Sequence, residues 1–493
     1  MRSFVVASAL IFLTLPFVAV QSAQPISARY RIAFSQDKPQ QLLVEAQLPV
    51  TGGRIFMNPF GADQLPDGWA TFIRDLQAVD SSEHPLQIKS LGNATWQLGN
   101  NYVGEVKLSY KVNLSFAYEK WPAGNEQAGF YQDKSLFLVT RPLFITSEHA
   151  GKRQVTFDVP AGWKISSPWQ PSLNDKRTFI AQDRTDLLSN TVVLGHHAEH
   201  RFQEGPFTFV LALPGEISES ADLIVSTLKK PVSAYYRVFD QTPPSIFMMT
   251  LFYADQEDGE GYSRSAALTT KDKVSPDTLI LWGNTLAHEL FHFWNGHQMY
   301  GEPRQEREWF SEGFTEYYAN RTLVRERLIS EELFIKKMEK HIAMYLYFKW
   351  APAFTGVSIQ QAGTRKSYYR PGVYQGGWTV AFCLDVLIRE QSKGNKSLDD
   401  FMRSMYKQFG LTRKTYGVQD IVRTATETAG TDLSEFFKKY VSGNETIPVE
   451  QYLKKIGLNG HFKGYSGEVY ISRDSDAYPT DLKRGRCLIL AEC

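Results

Sequence analysis

The chain has 493 residues, of which 43% are hydrophobic, 13% aromatic and 22% charged. That is ordinary globular material, long enough for about two to four domains. Lys plus Arg (54) barely exceed Asp plus Glu (53), which leaves no basic excess for nucleic acid or an anionic membrane surface.

The amino terminus reads as a targeting segment. Arg2 supplies a positive start, Phe4 to Val20 is almost wholly apolar, and V-Q-S-A-Q closes it with small residues. A signal peptide over 1–22 is expected, with cleavage near Ser22 or Ala23; Pro16 and the length of the apolar run leave an uncleaved anchor open. No Cys stands at the junction for lipidation. A Cys-poor exported chain fits a periplasmic or secreted protein, with no stable membrane association once the signal is removed. Five N-x-S/T sites (Asn93, Asn113, Asn320, Asn395 and Asn444) are near chance and decide nothing.

From 23 to 215 the pattern alternates, as in A-R-Y-R-I-A-F and E-V-K-L-S-Y-K-V-N-L-S-F, and predicts a β-sandwich-like domain. At its end, G-H-H-A-E-H (195–200) has the composition of a metal tract. It follows a strand-like run with no ordered fourth ligand, so solvent-facing strand-end histidines are the expectation.

Residues 216–330 form the predicted catalytic domain. It opens with strand-like S-I-F-M-M-T-L-F-Y, and 255–262 reads as an acidic surface loop. Then comes H-E-L-F-H at 288–292. His288 and His292, four apart, share one helix face and can hold one metal ion, with Glu289 beside them to reach a water. Leu286, Ala287, Leu290, Phe291, Phe293 and Trp294 make this helix apolar nearly all round, hence buried. Burying two His and a Glu is costly unless a cation or hydrogen bonds compensate. A third ligand must come from elsewhere, and Glu312 in W-F-S-E-G is the candidate. Two imidazoles and one carboxylate make the expected set for one Zn²⁺, with the fourth position open. Phe310, Phe314, Tyr317 and Tyr318 continue at helical spacing to about 328. Glu316, four beyond Glu312, is either a solvated carboxylate or the acceptor for a ligand imidazole N–H. His297 falls off the ligand face, as a loop residue near the site.

Residues 331–458 are read as an α-helical domain. Ser330 caps one helix, a second runs from Tyr374 to Gln391, Ser397 caps a third, and G-T-D-L-S-E-F-F-K-K-Y-V forms a further one. Cys383 lies in an apolar helical stretch and is predicted buried. Residues 459–493 are read as a tail, in which pairing of Cys487 with Cys493 is left open because distance cannot be read from spacing. The fold class is therefore α+β and multidomain.

H-E-x-x-H followed by the Glu of W-F-S-E-G-F-T-E-Y-Y resembles the gluzincin aminopeptidases. Within them, H-E-L-F-H-F-W-N and S-L-D-D-F-M-R (397–403) are similar to runs of the glycyl aminopeptidase family. The loop between His292 and Glu312 is one residue longer than is usual in the larger aminopeptidase family of that clan. The resemblance covers roughly 100–458 and implies a thermolysin-like zinc domain acting on peptides. Members carry Tyr-x-Lys-Gly opening a helix, with an acidic residue eight after the Gly. Counting from Asp385 makes Y374-Q-G-G377 the matching stretch, so Tyr374 is the implied catalytic Tyr; Gly376 replaces the Lys, and Tyr368 and Tyr369 compete for the role. Members also carry a Gly-Gly-Leu-Glu-His-like edge strand that holds the substrate's amino terminus. D-G-E-G-Y-S-R-S (258–265) falls there, so the anchor has moved to Glu260, or Glu257 serves, or it is lost. An aminopeptidase is expected, with a zinc endopeptidase, a non-catalytic zinc-containing binding protein and a non-peptidase hydrolase as alternatives. The PDZ domain of many relatives is expected to be absent, since only some 35 residues follow its usual position.

Overall fold

The computed structural model describes residues 25–34, 38, 40–62, 65–114, 129–463 and 468–493. The expected targeting segment, 1–22, lies outside the described residues. Alternation in the first part does what it predicts. In the strand Gln41–Val50, Leu42, Val44, Ala46, Leu48 and Val50 all turn inward, and in Gly104–Asn113 so do Val106, Leu108, Tyr110 and Val112. These strands lie side by side in a seven-stranded sheet, which also holds Ile26–Phe34, parallel to Lys152–Asp158 and antiparallel to Gln41–Val50. Across their core lies a four-stranded sheet containing Ser135–Val139 and Thr191–Gly195.

Those last two strands are buried on both faces, and their alternation joins the two halves of the molecule. Leu136, Leu138, Val192 and Leu194 face the first core. Phe137, Val139 and Val193 face the other way, onto Val210, Ala212, Met248, Phe252 and Ala267. The latter residues belong to a five-stranded sheet, in the order Ala198–Glu204, Phe207–Leu213, Ser245–Tyr253, Ser265–Thr270, Asp258–Gly261. Its three central strands are parallel and its two outer strands antiparallel. The opposite face of this sheet, with Phe209, Leu211, Phe247, Met249, Ala266 and Leu268, packs against helices in the largest core. Ala198–Glu204 and Phe207–Leu213 precede residue 215 yet pair within this sheet, because Phe207, Phe209, Leu211 and Leu213 belong to the core that the helices cover.

The helix Ala221–Phe239 crosses over from the second strand of this sheet to the third. The helix Leu279–Phe291 carries the H-E-L-F-H motif, and a π-helical turn, Trp309–Gly313, leads into the helix Phe314–Arg325. Helices follow at Glu331–Trp350, capped by the Ser330 hydroxyl, and at Gly377–Gln391, entered through a second π-helical turn at Gly372–Gly376. Ser397 and Asp400 form a capping box on Leu398–Met405.

Two expectations change. His197 does not face solvent: it is fully buried, with its Nε2 2.7 Å from Ser166 Oγ, and burial pushes its pKa down to about 4. The strand-end position was legible, but its contact with Ser166, on the neighbouring strand of the same sheet, was not. The tail also folds, as the hairpin Leu458–Lys463 with Glu468–Arg473 and the helix Pro479–Leu490. Leu488 and Ile489 are buried, Cys487 and Cys493 form a disulfide, and Arg325 Nε donates to Leu488 O at 3.1 Å. Cys383 is buried and free. Among the described residues no helix is long and apolar enough to cross a membrane.

Candidate metal centre

The two histidines sit at the end of their helix, one turn apart, and each has one ring nitrogen already engaged. His288 Nδ1 lies 2.9 Å from Glu316 Oε2, and His292 Nδ1 lies 3.0 Å from Asn295 O. With Nδ1 so occupied, both Nε2 atoms turn inward, 3.1 Å apart. Glu312 Oε2 stands 3.4 Å from His288 Nε2 and 3.3 Å from His292 Nε2. Three ligand atoms about 2.05 Å from one tetrahedral ion would be separated by about 3.3 Å. The donor set thus fits such an ion, and His288, His292 and Glu312 form the metal-capable His/Glu cluster among the described residues.

Local structure explains this convergence. The π-helical turn carries Glu312 inward, and Asn295 Nδ2 ties that turn to the histidine segment by donating to Phe310 O at 3.1 Å and Ser311 O at 3.2 Å. Gly313 and Gly377 touch backbone to backbone: a Cβ on Gly313 would collide with Gly377, and one on Gly377 with Trp309 O. That contact seats the Gly372–Gly376 turn over the centre, with the Tyr374 ring 6.3 Å from the His288 ring. Tyr368 is 51% exposed and does not line the cleft, whereas Tyr374 does. Gly376, at the place of the family Lys, packs against Ile359.

Of the expected acidic loop at 255–262, only 255–257 and 262 lie outside a strand; Asp258–Gly261 is the edge strand of the catalytic sheet, registered against Ala266–Thr269. It lies directly against the histidine helix. A Cβ on Gly259 would fall 2.7 Å from Glu289 Cγ, and one on Gly261 3.0 Å from His292 Cβ. Glycine at both positions permits this approach. Glu260 lines the cleft but is already paired: Arg141 Nη1 lies 3.0 Å from its Oε1. Glu257 instead accepts from Thr270 Oγ1 at 2.8 Å.

Burial and charge set the protonation states. Burial raises Glu289 to about 7, with the two imidazoles opposing and Glu260 and Glu312 assisting. Burial opposes charge on His288, yet hydrogen bonds to Glu312 and Glu316 raise it to about 10. Glu312 and Glu316 are held well below the usual carboxylate range despite burial, the first chiefly by Lys366 and His292, the second by His288 and His341. Burial, reinforced by Glu312, keeps the Tyr374 phenol protonated.

With this geometry in view, sequence comparison gives the family. Residues 29–196 match the Peptidase M61 N-terminal domain and residues 282–371 the M61 glycyl aminopeptidase domain. Together these stretches take in more than half of the chain. The chain belongs to the M61 glycyl aminopeptidase family. Membership supports a peptidase. Among curated proteins no match was found. The fold is similar to that of an aminopeptidase N family protein from Idiomarina loihiensis, with a TM-score of 0.74 at 18% identity over 88% of this chain and 79% of that one. It is also similar to Legionella pneumophila aminopeptidase A in complex with aspartic acid, with a TM-score of 0.55 at 13% identity. That match covers 85% of this chain and 49% of the other.

Several site residues carry no signal in the family pattern. Lys366 Nζ reaches Glu312 Oε1 at 2.5 Å and Glu308 Oε2 at 3.0 Å. His341 Nε2 lies 3.4 Å from Glu316 Oε1 and stacks on Trp378, while Asn320 Nδ2 donates to Glu316 Oε1 at 3.1 Å. His297, expected only near the site, lines a cleft of about 700 Å³ together with Arg141, Arg304 and Arg307. None of these stands at a spacing that announces it; each is brought in by tertiary packing.

Proposed function

We propose that the protein is a zinc-dependent aminopeptidase acting on exported or periplasmic peptides. The observation that carries this reading is the convergence of His288, His292 and Glu312 at 3.1–3.4 Å, beside a buried Glu289. One Zn²⁺ held by these three residues would supply Lewis acidity to the scissile carbonyl and acidify the attacking water. Glu289, poised at about 7, takes the water proton and hands it to the leaving nitrogen. Tyr374, protonated, donates to the oxyanion as it develops. Glu316 fixes the tautomer and direction of His288. The edge strand offers backbone groups to an extended peptide, and Glu260 is the carboxylate available for a free amino terminus.

The ion pair between Arg141 and Glu260 favours a second reading. An amine must displace Arg141 or share Glu260 with it, and a cleft that does not hold the amino terminus accepts internal bonds. Paired peptides, identical except for a free or acetylated amino terminus, separate the two readings when products are identified by mass spectrometry. Stepwise loss from free peptides alone is the expected result; internal cleavage of both would make the protein an endopeptidase. The Glu289→Ala variant should keep its zinc and lose on the order of 10²-fold or more in rate. Zinc-loaded protein that cleaves neither peptide would overturn the proposal.

A further inference from the structure

Six cations line the cleft, and four of them are matched. Arg141 pairs with Glu260 (3.0 Å), Arg184 with Glu148 (2.5 Å), and Arg304 and Lys366 with Glu308 (2.8 and 3.0 Å). Arg54 and Arg307 pair with no carboxylate among the described residues. Arg54 is exposed and solvated. Arg307 is 93% buried, its relative exposure being 7%. Its Nε donates to Gly301 O at 3.1 Å, and its guanidinium carbon lies 4.6 Å from the centre of the Tyr300 ring. No other acceptor for its guanidinium occurs among the described residues. A buried cation without a counter-charge is costly, and a guanidinium stacked on an aromatic ring presents its outer N–H groups as a rigid fork matched to a carboxylate.

Glu308 acts on Arg307 through space, but no carboxylate among the described residues makes an ion pair with it. His297, which lines the same cleft, is an imidazole and offers no negative charge. Glu308, five residues before the end of the Glu312 turn, is already shared by Arg304 and Lys366. The guanidinium N–H groups of Arg307 that make no hydrogen bond among the described residues are thus open to an anion entering through the cleft that it lines.

We propose that Arg307 is a specificity residue that receives a carboxylate of the bound peptide, from an acidic side chain or from the C-terminal carboxylate. The inference rests on reading the cleft as the peptide site and adds the chemical class of peptide that it prefers. Neutral, amidated peptides leave Arg307 unmatched and bind more weakly.

The test compares matched tetrapeptides: a free C-terminal carboxylate against its amide, and Glu against Gln at each position in turn. Each is titrated calorimetrically into zinc-loaded Glu289→Ala protein and into the same protein carrying Arg307→Gln or Arg307→Lys. Carboxylate-bearing members should bind about tenfold or more tightly than their neutral partners. That ratio should fall to within about twofold in Arg307→Gln and survive in part in Arg307→Lys, which keeps a point charge without the fork. The position at which Glu outperforms Gln separates a side chain from the chain terminus. Both members of a pair meet one preparation, so partial misfolding lowers both and leaves the ratio unchanged. Should Arg307→Gln fail to fold, Arg307→Lys carries the comparison. Equal affinities in the Arg307 protein, no binding of either member, or a ratio that survives Arg307→Gln would overturn the assignment. Cleavage by the parent is scored separately. A carboxylate preference without cleavage would remove the peptidase reading and leave this receptor standing; cleavage without preference would do the reverse.

Discussion

Asp385 is the acceptor at the centre of a buried charge cluster, and its removal should cost both stability and metal. Tyr317 Oη and Arg321 Nη1 donate to its Oδ2 at 2.9 and 2.8 Å. Arg389 Nε and Leu398 N donate to its Oδ1 at 2.8 and 3.1 Å. Its exposure is zero. In Asp385→Ala the carboxylate disappears while its donors stay in a dry site; Arg321 retains Asp399, but among the described residues Arg389 keeps only a contact to Cys487 Sγ at 3.1 Å. Leaving one partner of a buried ion pair uncompensated costs about 3–5 kcal/mol, and a stranded phenol or amide donor about 1–3 kcal/mol before relaxation. A loss of about 4–6 kcal/mol is expected, a large fraction of the roughly 5–15 kcal/mol that holds a domain. Tyr317 and Arg321 lie on the helix that follows Glu312, so zinc affinity should fall as well. Urea denaturation followed by tryptophan fluorescence gives the first quantity, and competition with a zinc-binding dye gives the second. Burial pushes Asp385 upward, but Arg389 and Arg321 prevail and hold it below its ordinary value. Its contribution is therefore complete above the unfolded value near about 4 and is lost only as pH falls through the lower folded value. The penalty of Asp385→Ala should thus be flat between pH 5 and 8. A loss under about 1 kcal/mol with unchanged zinc binding would refute the role of this cluster.

Glu316→Ala should weaken zinc binding about 10- to 100-fold, because His288 loses the partner of its Nδ1–H; competition titration against a chelator measures it, and wild-type affinity would exclude the role. Ligation requires neutral imidazoles, and His288 stands near 10 in the metal-free protein, so zinc uptake at pH 7.5 should release about one proton or more. Calorimetry in buffers of different ionisation enthalpy counts those protons. In the metal-free protein the same raised value makes the His288 contribution to stability complete below about pH 6.5 and lost as pH rises through about 10. Gly259→Ala should lower turnover at least about tenfold with zinc retained, since its Cβ would stand 2.7 Å from Glu289 Cγ and displace the proton carrier. Unchanged turnover would mean that the edge strand can retreat.

The parts legible in sequence were those written in local spacing. The four-residue interval of His288 and His292, the apolar wrapping of their helix and the caps at Ser330 and Ser397 each depend on one or two turns of chain. Asp385 entered the sequence reading only through the resemblance, as the acidic residue eight after Gly377; that it sits fully buried among Tyr317, Arg321 and Arg389 was not visible there. Long-range packing was not legible. The burial of His197 comes with a partner 31 residues away in sequence, Ser166 on the strand beside Thr191–Gly195. The edge strand at 258–261 has only four residues, two of them Gly, too short and too polar to show a strand's period. Lys366 and Arg307, which line the cleft, and His341, which backs Glu316, come from separate segments, and nothing in their neighbours marks them as parts of one site.

The backbone contact of Gly313 with Gly377 gives two silent positions the sensitivity of ligands. Neither bears a functional group, and both lie within helical backbone, where alanine is otherwise favoured. In a saturation-mutagenesis screen scored on peptide turnover, both should tolerate as little as His288 does, while the abundance of the folded protein falls far less. The spacing between two turns some sixty residues apart in sequence is thus set by the absence of side chains, and selection on activity would act on a methyl group that is not there.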